Sequence, residues 1–185
     1  LCLPQLAVMM RPAITTRMGE VAPMRRTLSE IFDDITDITS GFIEAGDILV
    51  TPSEILVGLS ARTDPIGANQ LQMILNKKGY AVRVLKTPPG VLHFQTDCSL
   101  IDDNCILSTE RLASSGCFEG YQVITVPTGE EPGANMIRYN NSIIMSAGFP
   151  KTETMLKAIG FNVVTVGNTE CAKVDGGMSC LSLRF

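Results

Sequence analysis

At 185 residues and 20.0 kDa, the chain is long enough for one sizeable domain and too short for two of ordinary size. Hydrophobic residues make up 45% and charged residues 18%, a composition that fills a large core and excludes intrinsic disorder. Fifteen Lys and Arg against 19 Asp and Glu leave a formal charge of −4, which argues against a non-specific grip on nucleic-acid phosphates, and no apolar run reaches the ~20 residues of a membrane helix. Six cysteines without a signal-type leader read as reduced thiols and a cytoplasmic location, not as a disulfide framework. Because the first residue is Leu1 and not a methionine, the expectation is a processed chain or part of something longer.

In chain order, an apolar segment at 6–10 comes first. Residues 17–34 read as an amphipathic helix, with Val21, Met24, Leu28, Ile31 and Phe32 on one side and Arg25, Arg26, Glu30 and Asp33 on the other. A β-rich run follows at 35–38. Two strand-like segments, 48–51 and 55–59, flank a tight turn at Pro52-Ser53. A second helix starts after Asp64-Pro65, turns Leu71, Ile74 and Leu75 inward and stops at Gly79, with a β-run at 81–85 behind it. A shorter third helix runs from Thr109-Glu110 to near Gly116, before a β-run at 122–126. Segments 134–138 and 143–146 flank Asn140-Asn141. A fourth helix opens at Pro150, sets Thr152, Met155, Leu156 and Ile159 inward and ends at Gly160, before a β-run at 162–166. The last stretch, 179–185, reads as a lone strand able to pair with 6–10 and close a ring. The unit is strand, strand, helix, strand, repeated about every 40 residues, which points to an α/β array or propeller-like ring in one domain spanning 1–185, and away from an open doubly wound sheet.

Few residues carry chemistry. The single histidine, His93, follows Pro88-Pro89-Gly90 in a connection between structured units, where such a fold exposes functional loops; the competing reading is a satisfied structural histidine. Among the cysteines, Cys98, Cys105 and Cys117 have apolar neighbours and read as inert buried thiols, Cys2 stands at a ragged terminus, and Cys171 lies among polar loop residues. Cys180 stands apart, because Gly176-Gly177 just before its strand lets backbone approach a ligand closely and Asp175 beside them can receive a cation. Glu44 and Asp47 form an acidic pair around Ala45-Gly46 at a strand entrance, with an ordinary solvated turn as the alternative. Arg17 and Arg62 stand at strand-to-helix junctions, where a guanidinium suits a carboxylate. There is no second histidine and no Cys-x-x-Cys for a metal, and no phosphate-binding glycine fingerprint, so neither a metal nor a nucleotide cofactor is expected.

Glu44-Ala45-Gly46-Asp47, the 58–63 segment Gly-Leu-Ser-Ala-Arg-Thr, Leu92-His93-Phe94-Gln95-Thr96, Ala134-Asn135-Met136-Ile137 and the run from Val174 through Cys180 to Phe185 follow one another as in the dimethylarginine dimethylaminohydrolases. The chain resembles the bacterial type of that family, within the guanidino-group modifying, or amidinotransferase, superfamily. The resemblance covers nearly the whole chain and is most specific at its C-terminal end. It implies a five-bladed, pseudo-symmetric α/β propeller of ββαβ units and hydrolysis of Nω-methylated L-arginine to L-citrulline and dimethylamine or methylamine. Residue by residue, it implies Cys180 as the nucleophile that forms a thiouronium intermediate and His93 as the acid and then the base. Glu44 becomes the carboxylate that binds the guanidinium and supports His93. Arg17 and Arg62 become the holders of the substrate α-carboxylate, and Val174 and Asp175 become substrate-binding residues beside the nucleophile. A homodimer is compatible with this reading.

Such chemistry suits these groups. A guanidinium is planar, delocalised and cationic, so carboxylates must localise its charge and hold it near the sulfur. Sulfur attacks as thiolate, and imidazole moves a proton near neutral pH. Relatives that act on unmethylated arginine or agmatine carry His-x-Asp, whereas Gln95 stands two residues after His93 here, which favours the methylated substrate. The family also carries an acidic Phe-Val-Glu-Asp-type segment upstream of the position of Leu1 and a leading unit over the substrate, so these residues are expected to supply about four units of five. Two alternatives stay open: an arginine deiminase-like guanidine hydrolase, told apart by its faster turnover of arginine, and a catalytically silent or truncated homologue acting as a binding protein, told apart by a chain that starts at Leu1 and has no turnover.

Overall fold

The computed structural model describes residues 1–183. Four strand-strand-helix-strand units follow one another. The first holds β1 (Cys2–Leu3), β2 (Leu6–Met9), α1 (Val21–Leu28) and β3 (Ile35–Asp37). The second holds β4 (Ile48–Val50), β5 (Ile55–Leu59), α2 (Pro65–Lys77) and β6 (Val82–Lys86). The third holds β7 (Cys98–Asp102), β8 (Cys105–Ser108), α3 (Glu110–Ala113) and β9 (Gln122–Thr125), and the fourth β10 (Met136–Tyr139), β11 (Ser142–Ser146), α4 (Pro150–Ala158) and β12 (Asn162–Val166). A short helix, α5 (Thr169–Ala172), comes after them. In every unit the first two strands pair antiparallel and the second and third pair parallel, so the second strand is central in a three-stranded sheet. The same pattern holds for the later two. This follows from the connections: a tight turn permits only an antiparallel neighbour, whereas the helix carries the chain back to start a parallel one. Residues 1–86 with 92–94 form one compact part and 87–91 with 95–182 another. Among the described residues no helix is long and apolar enough to cross a membrane.

In the first part Leu71 and Leu75 of α2 are fully buried with Ile55 and Val57 of β5, Val8 of β2 and Ile43. A second cluster sets Leu28 of α1 and Phe32, four residues on, against Cys2, Ala7 and Met9. In the other part Leu156 of α4 packs with Ile143 and Met145 of β11, Met136 of β10 and Leu107 of β8. The start of α2 is tightly built. The Asp64 carboxylate accepts the Gly67 N–H at 2.8 Å and the Phe42 N–H at 3.1 Å, while the Asp64 N–H donates to the Phe42 carbonyl. A Cβ on Gly67 would stand 2.3 Å from that carbonyl oxygen, so glycine is what lets the segment leading to Glu44 lie on the helix.

Three units share a buried acid–threonine latch. The acid precedes the unit's first strand, and the threonine hydroxyl that donates to it sits at or just before the unit's helix. The pairs are Thr63 to Asp47 at 2.6 Å, Thr109 to Asp97 at 2.8 Å and Thr152 to Glu130 at 2.8 Å. All six residues are buried. Burial raises the Glu130 carboxyl, but the N–H groups of Thr152 and Lys151 at the start of α4 and the Thr152 hydroxyl outweigh it, and the net shift is downward.

Several expectations need correction. The helix expected over 17–34 is a 3-10 turn, Thr15–Glu20, followed by an eight-residue α1. Pro23 lacks an N–H and is tolerated in a first turn only, which sets the α-helical start just before it. Met24 and Ile31 are consequently exposed, while Leu28 and Phe32 face the core. Ile159, expected inward, lies past the end of α4 and is exposed. The third unit has a hairpin, β7–β8, that the alternation did not reveal, because all four residues of β8 are buried and β7 shifts register between Leu100 and Asp102. The strand expected over 179–185 is instead a 3-10 turn, Ser179–Leu181; the local bonds from Leu181 N to the Met178 carbonyl and from Ser182 N to the Ser179 carbonyl curl it. Residues 184 and 185 lie outside the described residues. The 6–10 segment is β2, whose two neighbours are β1 and β3.

Gly67→Ala should lower stability by about 1–3 kcal/mol through overpacking, although alanine is the better helix former by about 1 kcal/mol; a raised melting temperature would contradict the close approach to Phe42. Because Glu130 is held below its ordinary value, its ionised form stabilises the fold fully above pH ~4.3, and that contribution is lost as pH falls through the lower folded value. Urea unfolding of Glu130→Gln should therefore give a stability about 1–2 kcal/mol below the parent near neutrality, with the gap closing at acid pH.

Candidate active site

Glu44 is the centre of the first constellation. Ile43, fully buried and bridged to Arg11, leads the chain inward, and Glu44 follows in extended conformation before the 3-10 turn Ala45–Asp47. Its carboxylate is only 6% exposed. Oε2 lies 2.9 Å from His93 Nε2 and 3.0 Å from Arg17 Nη1, and Oε1 lies 3.3 Å from the Ala13 N–H and 3.6 Å from Arg62 Nη1. An ionised carboxylate only accepts, so this contact assigns the ring proton to His93 Nε2. The ring passes across Gly46, where a Cβ would stand 3.0 Å from its Cγ. Arg17 also donates twice to Glu20; it belongs to the Thr15–Glu20 turn in the connection from β2 to α1. Four residues singled out in the sequence, Arg17, Glu44, Arg62 and His93, thus meet at one carboxylate, and both arginines face this protein acid.

Asp47 lies beneath them, with no exposure at all. Oδ2 accepts the Thr63 hydroxyl at 2.6 Å and the Ser60 hydroxyl at 2.8 Å, and Oδ1 accepts the Phe94 N–H at 2.8 Å. Burial raises its carboxyl above the usual range, and these three donors and the nearby His93 partly oppose the rise. In the sequence Asp47 stands out only as an acidic neighbour of Glu44. The available signal was the pairing of Glu44-x-x-Asp47 with Ser60-x-x-Thr63.

Val174, Asp175 and Cys180 belong to the other compact part. Val174, Asp175 and Cys180 are exposed. Asp175 adopts φ 60°, a left-handed conformation in which aspartate is one of the few tolerated side chains. The Gly176 carbonyl accepts from Asn168 Nδ2 at 2.7 Å, and the Ser179 N–H donates to Asn135 Oδ1 at 2.9 Å. A Cβ on Gly177 would stand 2.4 Å from the Asn135 amide and one on Gly176 2.9 Å from the Cys171 carbonyl oxygen, so the glycine pair serves close packing next to the Cys180 turn. Cys98, Cys105 and Cys117 are buried; burial, with Asp97 and Cys117 nearby, pushes the Cys98 thiol well up. Cys2, expected at a ragged end, pairs with Ala7 inside β1, and burial raises its thiol as well. Cys171 sits in α5 and not in a loop. Among the described residues no group of three His, Cys, Asp or Glu could hold a metal ion.

The family model described as arginine deiminase matches residues 23–129, more than half of the chain. A protein of Pseudomonas aeruginosa named N(G),N(G)-dimethylarginine dimethylaminohydrolase is 34% identical over all of this chain and 73% of its own length. A solved structure of the same enzyme type from that organism, a Cys-to-Ser mutant complexed with citrulline, superposes with a TM-score of 0.95 at 34% identity, over 100% of this chain and 73% of that one. The N-terminal domain of a cyanobacterial arginine dihydrolase, 21% identical, shares the fold at a TM-score of 0.88, over 100% of this chain and 71% of that one. The chain belongs to the dimethylarginine dimethylaminohydrolase family of the amidinotransferase superfamily.

Proposed function

We propose that this chain supplies the catalytic residues of a hydrolase that converts asymmetric dimethylarginine or monomethylarginine to L-citrulline and dimethylamine or methylamine. In this reading residues 1–185 act as one catalytic domain, and their four ββαβ units belong to a five-bladed propeller. The common strand pairing of the four units and the 73% share of the Pseudomonas relative support the architecture. The observation that carries the chemistry is the buried Glu44 carboxylate, bonded to the only imidazole and facing two guanidinium groups.

The Cys180 thiolate attacks the guanidinium carbon. The C–N bond to the methylated nitrogen breaks as His93 gives that nitrogen a proton, and a thiouronium on Cys180 remains. Water, losing one proton to His93, then attacks the same carbon; the C–S bond breaks, the thiolate returns, and loss of the second water proton to solvent completes the neutral ureido group of citrulline. With His93 Nε2–H committed to Glu44, Nδ1 is the nitrogen that moves the proton. A carboxylate behind an imidazole fixes its tautomer and stabilises the imidazolium form. Arg17 and Arg62 hold the substrate α-carboxylate as charged forks, and Val174 and Asp175 line the substrate beside the nucleophile.

Hydrolysis of unmethylated arginine is the second reading, favoured by the arginine deiminase match over residues 23–129. Gln95, in place of a second carboxylate after His93, favours methylated arginine. A cytoplasmic location, supported by six free thiols, and a homodimer complete the proposal, the latter to be read by light scattering.

Citrulline should form faster from asymmetric dimethylarginine than from arginine in parallel assays; the opposite order would overturn the substrate assignment. Cys180→Ser should abolish turnover, and His93→Ala should cost roughly 10²–10⁴ in kcat. Arg62→Ala should act on KM, raising it ~30-fold or more, and an unchanged KM would remove Arg62 from substrate binding.

A further inference from the structure

We infer that Asp47 is a positioning residue for the acid–base pair, its buried carboxylate fixing both the backbone beside His93 and the loop that carries Arg62. The inference rests on the reaction proposed above. Asp97 and Glu130 occupy the corresponding place in their units, and their carboxylate bonds stay close to the latch: Thr109 and Arg111 for the first, Lys151 and Thr152 for the second. Asp47 accepts, beside the Thr63 and Ser60 hydroxyls, a bond from outside its unit's strands and helix, from the Phe94 N–H 47 residues away. Phe94 is fully buried, and its side chain lies on Gly58, where a Cβ would come within 2.7 Å. One bond and one packing contact thus fix the residue next to His93.

The other oxygen of Asp47 organises the partners of Glu44. Its two hydroxyl donors each accept a backbone N–H: Thr63 Oγ1 from Glu44 at 3.2 Å and Ser60 Oγ from Arg62 at 2.9 Å. The Asp47 N–H itself donates to the Glu44 carbonyl at 3.0 Å. Glu44, Arg62 and His93 are therefore each tied to Asp47 through the main chain, at their own residue or the adjacent one. All three groups that reach the carboxylate are donors, and only an ionised acid accepts them all; a carboxamide would turn an NH₂ toward some of them. Among the described residues, the side-chain bonds of Asp47 come from Ser60, Thr63 and Phe94 and none from the imidazole ring or the guanidinium groups, so its effect passes through geometry, where a misplacement of about 1 Å costs on the order of 10²-fold in rate.

Asp47→Asn tests this together with Glu130→Gln, which disturbs the same latch away from the site. Because His93 is the chain's only histidine, its ring nitrogen resonances are assigned without ambiguity and report the Nε2–H form whether or not turnover occurs. Asp47→Asn should lower kcat by about 10–100-fold, more than it raises KM, and should disperse the single ring form; Glu130→Gln should do neither. Should Asp47→Asn fail to fold, Thr63→Val replaces it, with Thr63→Ser restoring the hydroxyl and most of the rate. A folded Asp47→Asn with kcat within twofold and an unaltered ring spectrum overturns the inference, as does an equal loss in Glu130→Gln. If the parent protein makes no citrulline, the reaction proposed above fails, and the ring spectrum alone decides: a change in Asp47→Asn upholds the positioning role and no change removes it.

Discussion

Glu44 must remain a carboxylate while almost entirely out of water, and that constraint organises the first half of the chain. An ionised acid buried without partners costs several kcal/mol, a penalty that only well-placed charges and donors offset. Here the partners arrive from stretches far apart in sequence: Ala13 and Arg17 before α1, Arg62 before α2, and His93 after β6. Their contributions differ. Arg17 is 44% exposed and shared with Glu20, so solvent screens its attraction. His93 and Arg62 are the more enclosed partners, and they are the ones whose main chain is anchored underneath. Burial of one acid thus requires a loop geometry that also suits proton transfer.

The glycines belong to the same constraint. Gly46 lets the imidazole lie across the turn after Glu44, and Gly67 lets the segment before Glu44 run along the start of α2. In neither case is φ positive; what glycine supplies is the absence of a Cβ. Gly177 repeats the device in the other half, against the Asn135 amide. Close backbone approach therefore recurs at the segments that carry Glu44, His93 and Cys180.

Much of this was legible in the sequence, and the failures have physical causes. α2 and α4 were visible because proline at the first helical position and glycine after the last mark their ends, and the apolar period between them is regular. α1 was overextended because period alone ignores what Pro23 does to the backbone. β8 was invisible because a wholly buried strand has no alternation to read. Glu44, His93, Arg17 and Arg62 could be singled out by residue type and by family resemblance, and three of them contact the fourth. Asp47 could not be assigned a task, because what defines it is the convergence of donors from positions 60, 63 and 94, and no local pattern encodes that convergence. At Cys180 a local pattern suggests a strand, whereas the backbone there is a 3-10 turn, and of the two glycines before it Gly176 lies against the Cys171 carbonyl and Gly177 against the Asn135 amide.

A repeated scaffold has to acquire a site that is not repeated, and the acid–threonine latch indicates how. In the second, third and fourth units an acid before the hairpin accepts a hydroxyl from the approach to the helix, which closes the unit on itself and satisfies groups that burial would otherwise leave unpaired. Each carboxylate has about four lone-pair sites, so the latch leaves capacity unused. In the third unit that capacity goes to Arg111 and in the fourth to the first N–H groups of α4, both local and structural. In the second unit it goes to the Phe94 N–H, beside the only histidine. The device common to the units holds the fold, and its spare acceptor in one of them is what ties a distant loop to Glu44. A site of this kind needs no departure from the repeat, only a different partner for a carboxylate the repeat already buries.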